Sequence, residues 1–109
     1  MVSTSLDVIS FYRLTQNFES FNISIMIDAL KAISEENRWQ IINLLVKRSL
    51  CVCEIEVELK ISQNLVSHHL SVLKKAGLIA DCRCGKNNYY SLDKRSLNRL
   101  VNEFKKLGE

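Results

Sequence analysis

Residues 62–92 read SQNLVSHHLSVLKKAGLIADCRCGKNNYYSL, and two periodicities meet inside this run. From Ser62 to Ala76 the apolar residues Leu65, Val66, Leu70 and Leu73 recur at helical spacing, which predicts a helix with those side chains turned inward. Ser62 is an N-cap residue type. Gly77 stands where a helix C-terminus takes a left-handed residue. Beyond Leu78 the pattern changes: two short extended runs, the second being Tyr89-Tyr90-Ser91-Leu92, flank Gly85-Lys86-Asn87-Asn88. That is the signature of a β-hairpin.

Working outward, Lys60-Ile61-Ser62 reads as a turn and Glu54–Leu59 as a short helix before it. Residues 50–55, LCVCEI, suit a brief strand or the entry to that helix. Ser34 is a candidate N-cap for an earlier helix, with Glu35 and Glu36 matching the positive end of its dipole. Trp39, Ile42, Leu45 and Val46 would turn that helix toward the core, and it should stop near Lys47-Arg48-Ser49. Ile23, Ile27, Leu30 and Ile33 mark a preceding helix face, and Leu6, Ile9, Leu14, Phe18 and Phe21 continue a looser one upstream. Downstream, Asp93 can cap a last helix striped with Leu97, Leu100, Val101 and Phe104.

The expected fold class is therefore mostly α with a small β-hairpin, a winged helix-turn-helix. One domain should cover residues 1–109, with the helix-turn-helix at 54–76 and the wing at 78–92. Residues 1–33 and 93–107 should be dimerisation helices, because their apolar stripes exceed what one small domain can cover. In such a domain the second helix of the pair enters the major groove and the wing reaches the neighbouring backbone.

Composition agrees with one soluble domain. The chain has 109 residues, 47% hydrophobic and 25% charged, with no proline and three glycines. Its formal charge of +3 is unevenly spread: residues 1–59 carry a net −3 and residues 60–99 a net +6. A basic block of that kind suits an anionic polymer. Neither a signal-peptide pattern nor an apolar run of membrane-spanning length is present, so the expected setting is cytoplasmic, with no membrane partner. No general-base constellation or cofactor loop points to an enzyme.

All four cysteines lie in two C-x-C pairs, Cys51 with Cys53 and Cys82 with Cys84. In a reducing compartment such pairs suggest metal or redox chemistry before structural disulfides. Thiolates select soft ions, including Zn, Cd, Pb, Cu(I) and trivalent arsenic. A helix start just after Cys51 and Cys53 is expected to lower their pKa. Adjacent i, i+2 cysteines on a strand sit near the upper limit of disulfide Cα spacing, so a disulfide would more readily join the two pairs than form within one.

The segments LKAISEENRWQII, LLVKRSLCVCEI, ISQNLVSHHLSVLKKAGLI and DCRCGKNNYYSL together resemble the ArsR/SmtB family of metal-sensing repressors, over residues 30–92. The S-Q-x-x-x-S-x-H-L run from Ser62 and the L-K-K-A-G-L-I run after it are the most specific parts. The resemblance implies a homodimer on a double-stranded DNA operator, released by a thiol-reactive effector such as As(III), Cd(II) or Zn(II). It implies Cys51 and Cys53 as ligands. The third cysteine of one arsenic-sensing branch is replaced here by Glu56, residues 1–22 hold no cysteine, and the last helix holds no histidine.

Cys82 and Cys84 are then the remaining soft donors. If the wing pairs with a strand at LCVCEI, the four thiols could meet around a thiolate-bound metal or metalloid ion. For DNA, the expected contacts are Ser62, Gln63, Asn64, Ser67, His68 and Lys74 on the helix, and Arg83, Lys86 and Asn87 in the wing. His69 is expected to be bonded within the domain. A redox-sensing regulator working through cysteine oxidation is the alternative, as is a winged-helix interaction module that does not bind DNA.

Overall fold

A computed structural model describes residues 23–109. The elements run α1 (23–33), α2 (Glu36–Lys47), β1 (Leu50–Cys51), α3 (Val52–Leu59), α4 (Gln63–Lys75), β2 (Ile79–Cys84), β3 (Asn87–Leu92) and α5 (Lys94–Leu107). The upstream apolar stretch at 6–21 lies outside the described residues.

Helices α2, α4 and α5 each begin where a side chain satisfies an orphan N–H. Glu35, rather than Ser34, caps α2 by accepting from the Arg38 N–H at 2.9 Å, while the Ser34 hydroxyl donates to the Lys31 carbonyl. Ser62 caps α4 through Leu65 N–H and Asp93 caps α5 through Ser96 N–H. LCVCEI is both of the things its sequence allows: Leu50 and Cys51 form a two-residue strand, and Cys51 is at once the N-cap of α3.

Three backbone positions of positive φ set the helix-turn-helix and the wing. Lys60 ends α3 in the left-handed region (φ +57°), its N–H reaching the Glu56 carbonyl. Gly77 follows α4 with φ +78°, a value an L side chain rarely adopts. At the wing tip Gly85 (φ +64°) takes the first central position of the two-residue loop between β2 and β3, the place a type II′ turn reserves for glycine.

The three strands form an antiparallel sheet in the order β1-β3-β2. One face packs on the helices. Ile41, Ile42, Leu45, Leu50, Ile55, Val66, Leu70, Leu73, Leu78 and Ile79 close a single core between α2, α3, α4 and the sheet, with Ile41, Ile55 and Leu73 wholly buried. Burying each of these side chains contributes on the order of 1.5–3 kcal/mol.

Three apolar expectations are corrected. Trp39 and Val46 are half-exposed on the outer side of α2, and Leu65 is 40% exposed on α4. The helical period explains this: Ile41, Ile42 and Leu45 already fill the inward stripe of α2. On α4 the buried row is Val66, His69, Leu70 and Leu73, which leaves Leu65 outside it.

Candidate functional site

Helix α4 presents Gln63, Asn64, Ser67 and His68, all exposed, on the side opposite its buried row. Ser62 is also exposed, with its oxygen occupied as the cap acceptor and its hydroxyl proton still available. Amide and hydroxyl groups projecting from the first turns of a helix suit base edges and phosphates in a major groove. In the wing, Arg83, Lys86 and Asn87 are exposed around the Gly85 turn.

Lys74 stands apart from its expected role. Its Nζ lies 2.8 Å from Asp81 Oδ1 on β2, and the pairing holds the Asp81 carboxyl below and the Lys74 ammonium above their ordinary values. Asp81 also accepts from Asn88 Nδ2 at 2.9 Å. Lys74 thus ties α4 to the wing, with its charge already partnered.

His69 is bonded inside the domain, as expected, and its partner is one the sequence did not indicate. Arg38 donates from its Nε to the Ala32 carbonyl and from NH1 to His69 Nδ1 at 3.2 Å. Arginine only donates, so His69 Nδ1 accepts and the neutral ring carries its proton on Nε2. That Nε2 is buried with no hydrogen-bond partner among the described residues. Burial pushes the His69 pKa down, partly opposed by Glu35 at 3.7 Å. One guanidinium thus links the end of α1, the start of α2 and the middle of α4. Only the placement of Arg38 three residues after the capping Glu35 hinted at this, and spacing alone does not reveal a partner 31 residues away.

The thiols separate into two groups. Cys51 and Cys53 sit side by side, with Sγ atoms 2.7 Å apart, because Cys53 is in the first turn of α3 and points back to the N-cap. Cys51 is buried and Cys53 exposed. Glu54 accepts from the Cys51 N–H at 3.1 Å and is itself held by Arg48 at 2.8 Å, so the backbone of the pair is pinned. The Cys51 pKa is raised, not lowered: its hydrogen bond with Cys53 and its burial outweigh the backbone N–H of Glu54.

Cys82 and Cys84 are exposed on β2. The register pairs Cys51 with Tyr89 and Tyr89 with Cys82, so Tyr89 occupies the sheet row between the two cysteines. Among the described residues no group of three or more Cys, His, Asp or Glu is arranged to hold a metal ion. The expected meeting of the four thiols is therefore not realised within the chain. Nor do the pairs face each other for a disulfide; the close contact lies within the first pair, because helix geometry replaces the strand spacing at Cys53.

Comparison with known proteins agrees with the winged helix-turn-helix fold. Residues 35–81 match the family described as bacterial regulatory protein, arsR family. The cadmium resistance transcriptional regulatory protein CadC of Listeria innocua is 39% identical over 86 residues, covering 78% of this chain and 70% of that protein. The transcriptional repressor SmtB homolog of Synechocystis is 32% identical over 78 residues, 72% of this chain, and the match spans 59% of that relative's length. The homodimeric winged helix-turn-helix DNA-binding domain of a possible ArsR-family regulator from Mycobacterium bovis superposes with a TM-score of 0.69, at 23% identity, over 83% of each chain. The chain belongs to the arsR family of bacterial regulatory proteins, DNA-binding transcriptional regulators built on the winged helix-turn-helix.

Proposed function

We propose that this protein is a homodimeric, cytoplasmic repressor that reads an operator through α4 and the wing and leaves it when a soft metal or metalloid ion binds Cys51 and Cys53. The observation that carries the reading is the double role of Cys51. It is the residue of β1 that pairs with the wing strand at Tyr89, and it is also the N-cap of the first helix of the helix-turn-helix. A ligand drawn between Cys51 and Cys53 therefore acts at the joint of both DNA-reading parts.

The donor set fits such an ion. Two soft sulfurs lie side by side, one of them open to solvent, and the remaining coordination positions are left to water or a small thiol. A bound ion supplies two sulfur–metal bonds in place of one sulfur–sulfur hydrogen bond. The residues around it keep the pair in position: Arg48 holds Glu54, and Glu54 holds the Cys51 N–H. The cadmium resistance named for the Listeria relative supports the choice of a thiophilic ion.

A dimer is supported by the apolar surface of α1 and α5. Ile23, Ile27, Val101, Phe104 and Leu107 are exposed there, beside a cleft of about 270 Å³ lined in part by Met26, Ala29 and Leu100. Two copies would place two recognition helices about one DNA turn apart. No helix among the described residues is long and apolar enough to cross a membrane.

Selection of a duplex from a random library, followed by fluorescence anisotropy at several salt concentrations, tests the DNA reading. A palindromic site bound with log affinity falling linearly in log salt is expected, since phosphate contacts release counterions. Absence of any salt-dependent binding would instead favour a protein-interaction module.

A further inference from the structure

We propose that Cys82 and Cys84 form a second soft-ion site on the wing, separate from the first pair and suited to a two-coordinate monovalent cation such as Cu(I). Alternation along β2 puts Ile79, Asp81 and Arg83 on one face and Ala80, Cys82 and Cys84 on the other. Buried Ile79 and the Asp81–Lys74 ion pair identify the first face as the one packed on α4. Both wing thiols therefore lie on the outward face, as neighbours, with their Cα atoms about 6.6 Å apart by strand geometry.

The first pair does not complete this site. Cys51 and Cys82 are two strand spacings apart, about 9–10 Å, with Tyr89 in the row between them. Cys51 is also buried, whereas both wing thiols are exposed. No His, Asp or Glu joins Cys82 and Cys84 in a larger donor cluster among the described residues. Two thiolates without further protein ligands suit a soft ion of low coordination number and do not provide the four ligands of a structural zinc site.

The position of the site gives it a consequence. On binding, two thiols release two protons and form two sulfur–copper bonds, and no electron is transferred. The product is a bis-thiolate complex of net charge −1. That charge sits on either side of Arg83 and one residue before the Gly85-Lys86 turn, among the cations that the proposed repressor turns toward phosphate. Neutralising one wing cation removes one phosphate contact, which at 0.15 M salt is worth about fivefold in affinity. This inference rests on the DNA-reading role of the wing, whereas the first site acts at the start of α3.

The test uses the full chain with Cys51→Ser and Cys53→Ser together, anaerobic Cu(I) in a chelator buffer, native mass spectrometry and the selected duplex. This variant should bind one Cu(I) per chain and lose about fivefold in affinity, with the salt slope reduced by about one. Adding Cys82→Ser and Cys84→Ser to this variant should lose the ion that it keeps. If the first variant takes up no Cu(I), or takes it up with unchanged affinity and slope, the wing site is overturned. Metal-free DNA binding by both variants is read in the same titration, so failure of the repressor reading is seen separately.

Discussion

Cys51 and Cys82 share one row of the sheet, on either side of Tyr89, and this row keeps the two thiol pairs apart. A disulfide requires Cα atoms within about 7 Å. Mild oxidation with diamide followed by peptide mapping should therefore yield no intramolecular Cys51–Cys82 or Cys53–Cys84 link in the folded chain. A mapped cross-pair bond at high yield would mean that the wing can swing away from β1.

The Arg38–His69 contact should make stability depend on pH in a defined direction. His69 faces Glu35, Arg38 and the ring of His68, and its pKa lies below the ordinary 6.5 chiefly because it is buried. The unfolded chain then takes up a proton at a pH where the folded one does not. Stability is full above about 6.5 and declines as pH falls through that value toward the lower folded value. His69→Asn keeps an acceptor for Arg38 and should remove this pH dependence at modest cost. His69→Phe strands the guanidinium and should cost about 1–3 kcal/mol. Urea titrations between pH 5 and pH 8 check both.

Backbone positions around α4 should respond in opposite directions. Ser62→Ala removes the cap and should cost about 1 kcal/mol. Lys60→Gly relieves a left-handed non-glycine residue and should stabilise by up to about 1 kcal/mol. Thermal unfolding of the two variants reads both signs.

Lys74 and Lys86 should differ in their effect on DNA, although the sequence made them look alike. Lys86→Ala should weaken binding and lower the salt slope by about one. Lys74→Ala should leave the slope nearly unchanged, because Asp81 already occupies that charge, and should cost under about 1 kcal/mol of stability. Anisotropy titrations at four salt concentrations distinguish them.

These contrasts mark what the sequence could reveal. Caps, left-handed glycines and the change from helical to alternating period are local, so Ser62, Gly77, Asp93 and the wing were legible from the chain alone. The polar face at Gln63, Asn64, Ser67 and His68 was legible for the same reason. Partners across the fold were not: nothing near Lys74 announces Asp81, and nothing near His69 announces Arg38. The thiol geometry failed at one point, since the short helix was expected from Glu54, after both cysteines, whereas α3 has already begun at Cys53. Trp39 misled because a large apolar side chain signals burial only when the inward stripe is not already filled.

The central claim, that a soft ion at Cys51 and Cys53 controls operator affinity, is tested most directly by titrating the selected duplex with and without Cd(II), using wild type and Cys51→Ser. The account predicts that Cd(II) weakens wild-type binding by about 5–150-fold, the range of ordinary allosteric coupling. It predicts that Cys51→Ser binds the same duplex with near wild-type affinity and ignores Cd(II). Equal sensitivity of the two proteins, or no response of wild type to Cd(II) or As(III), would contradict it.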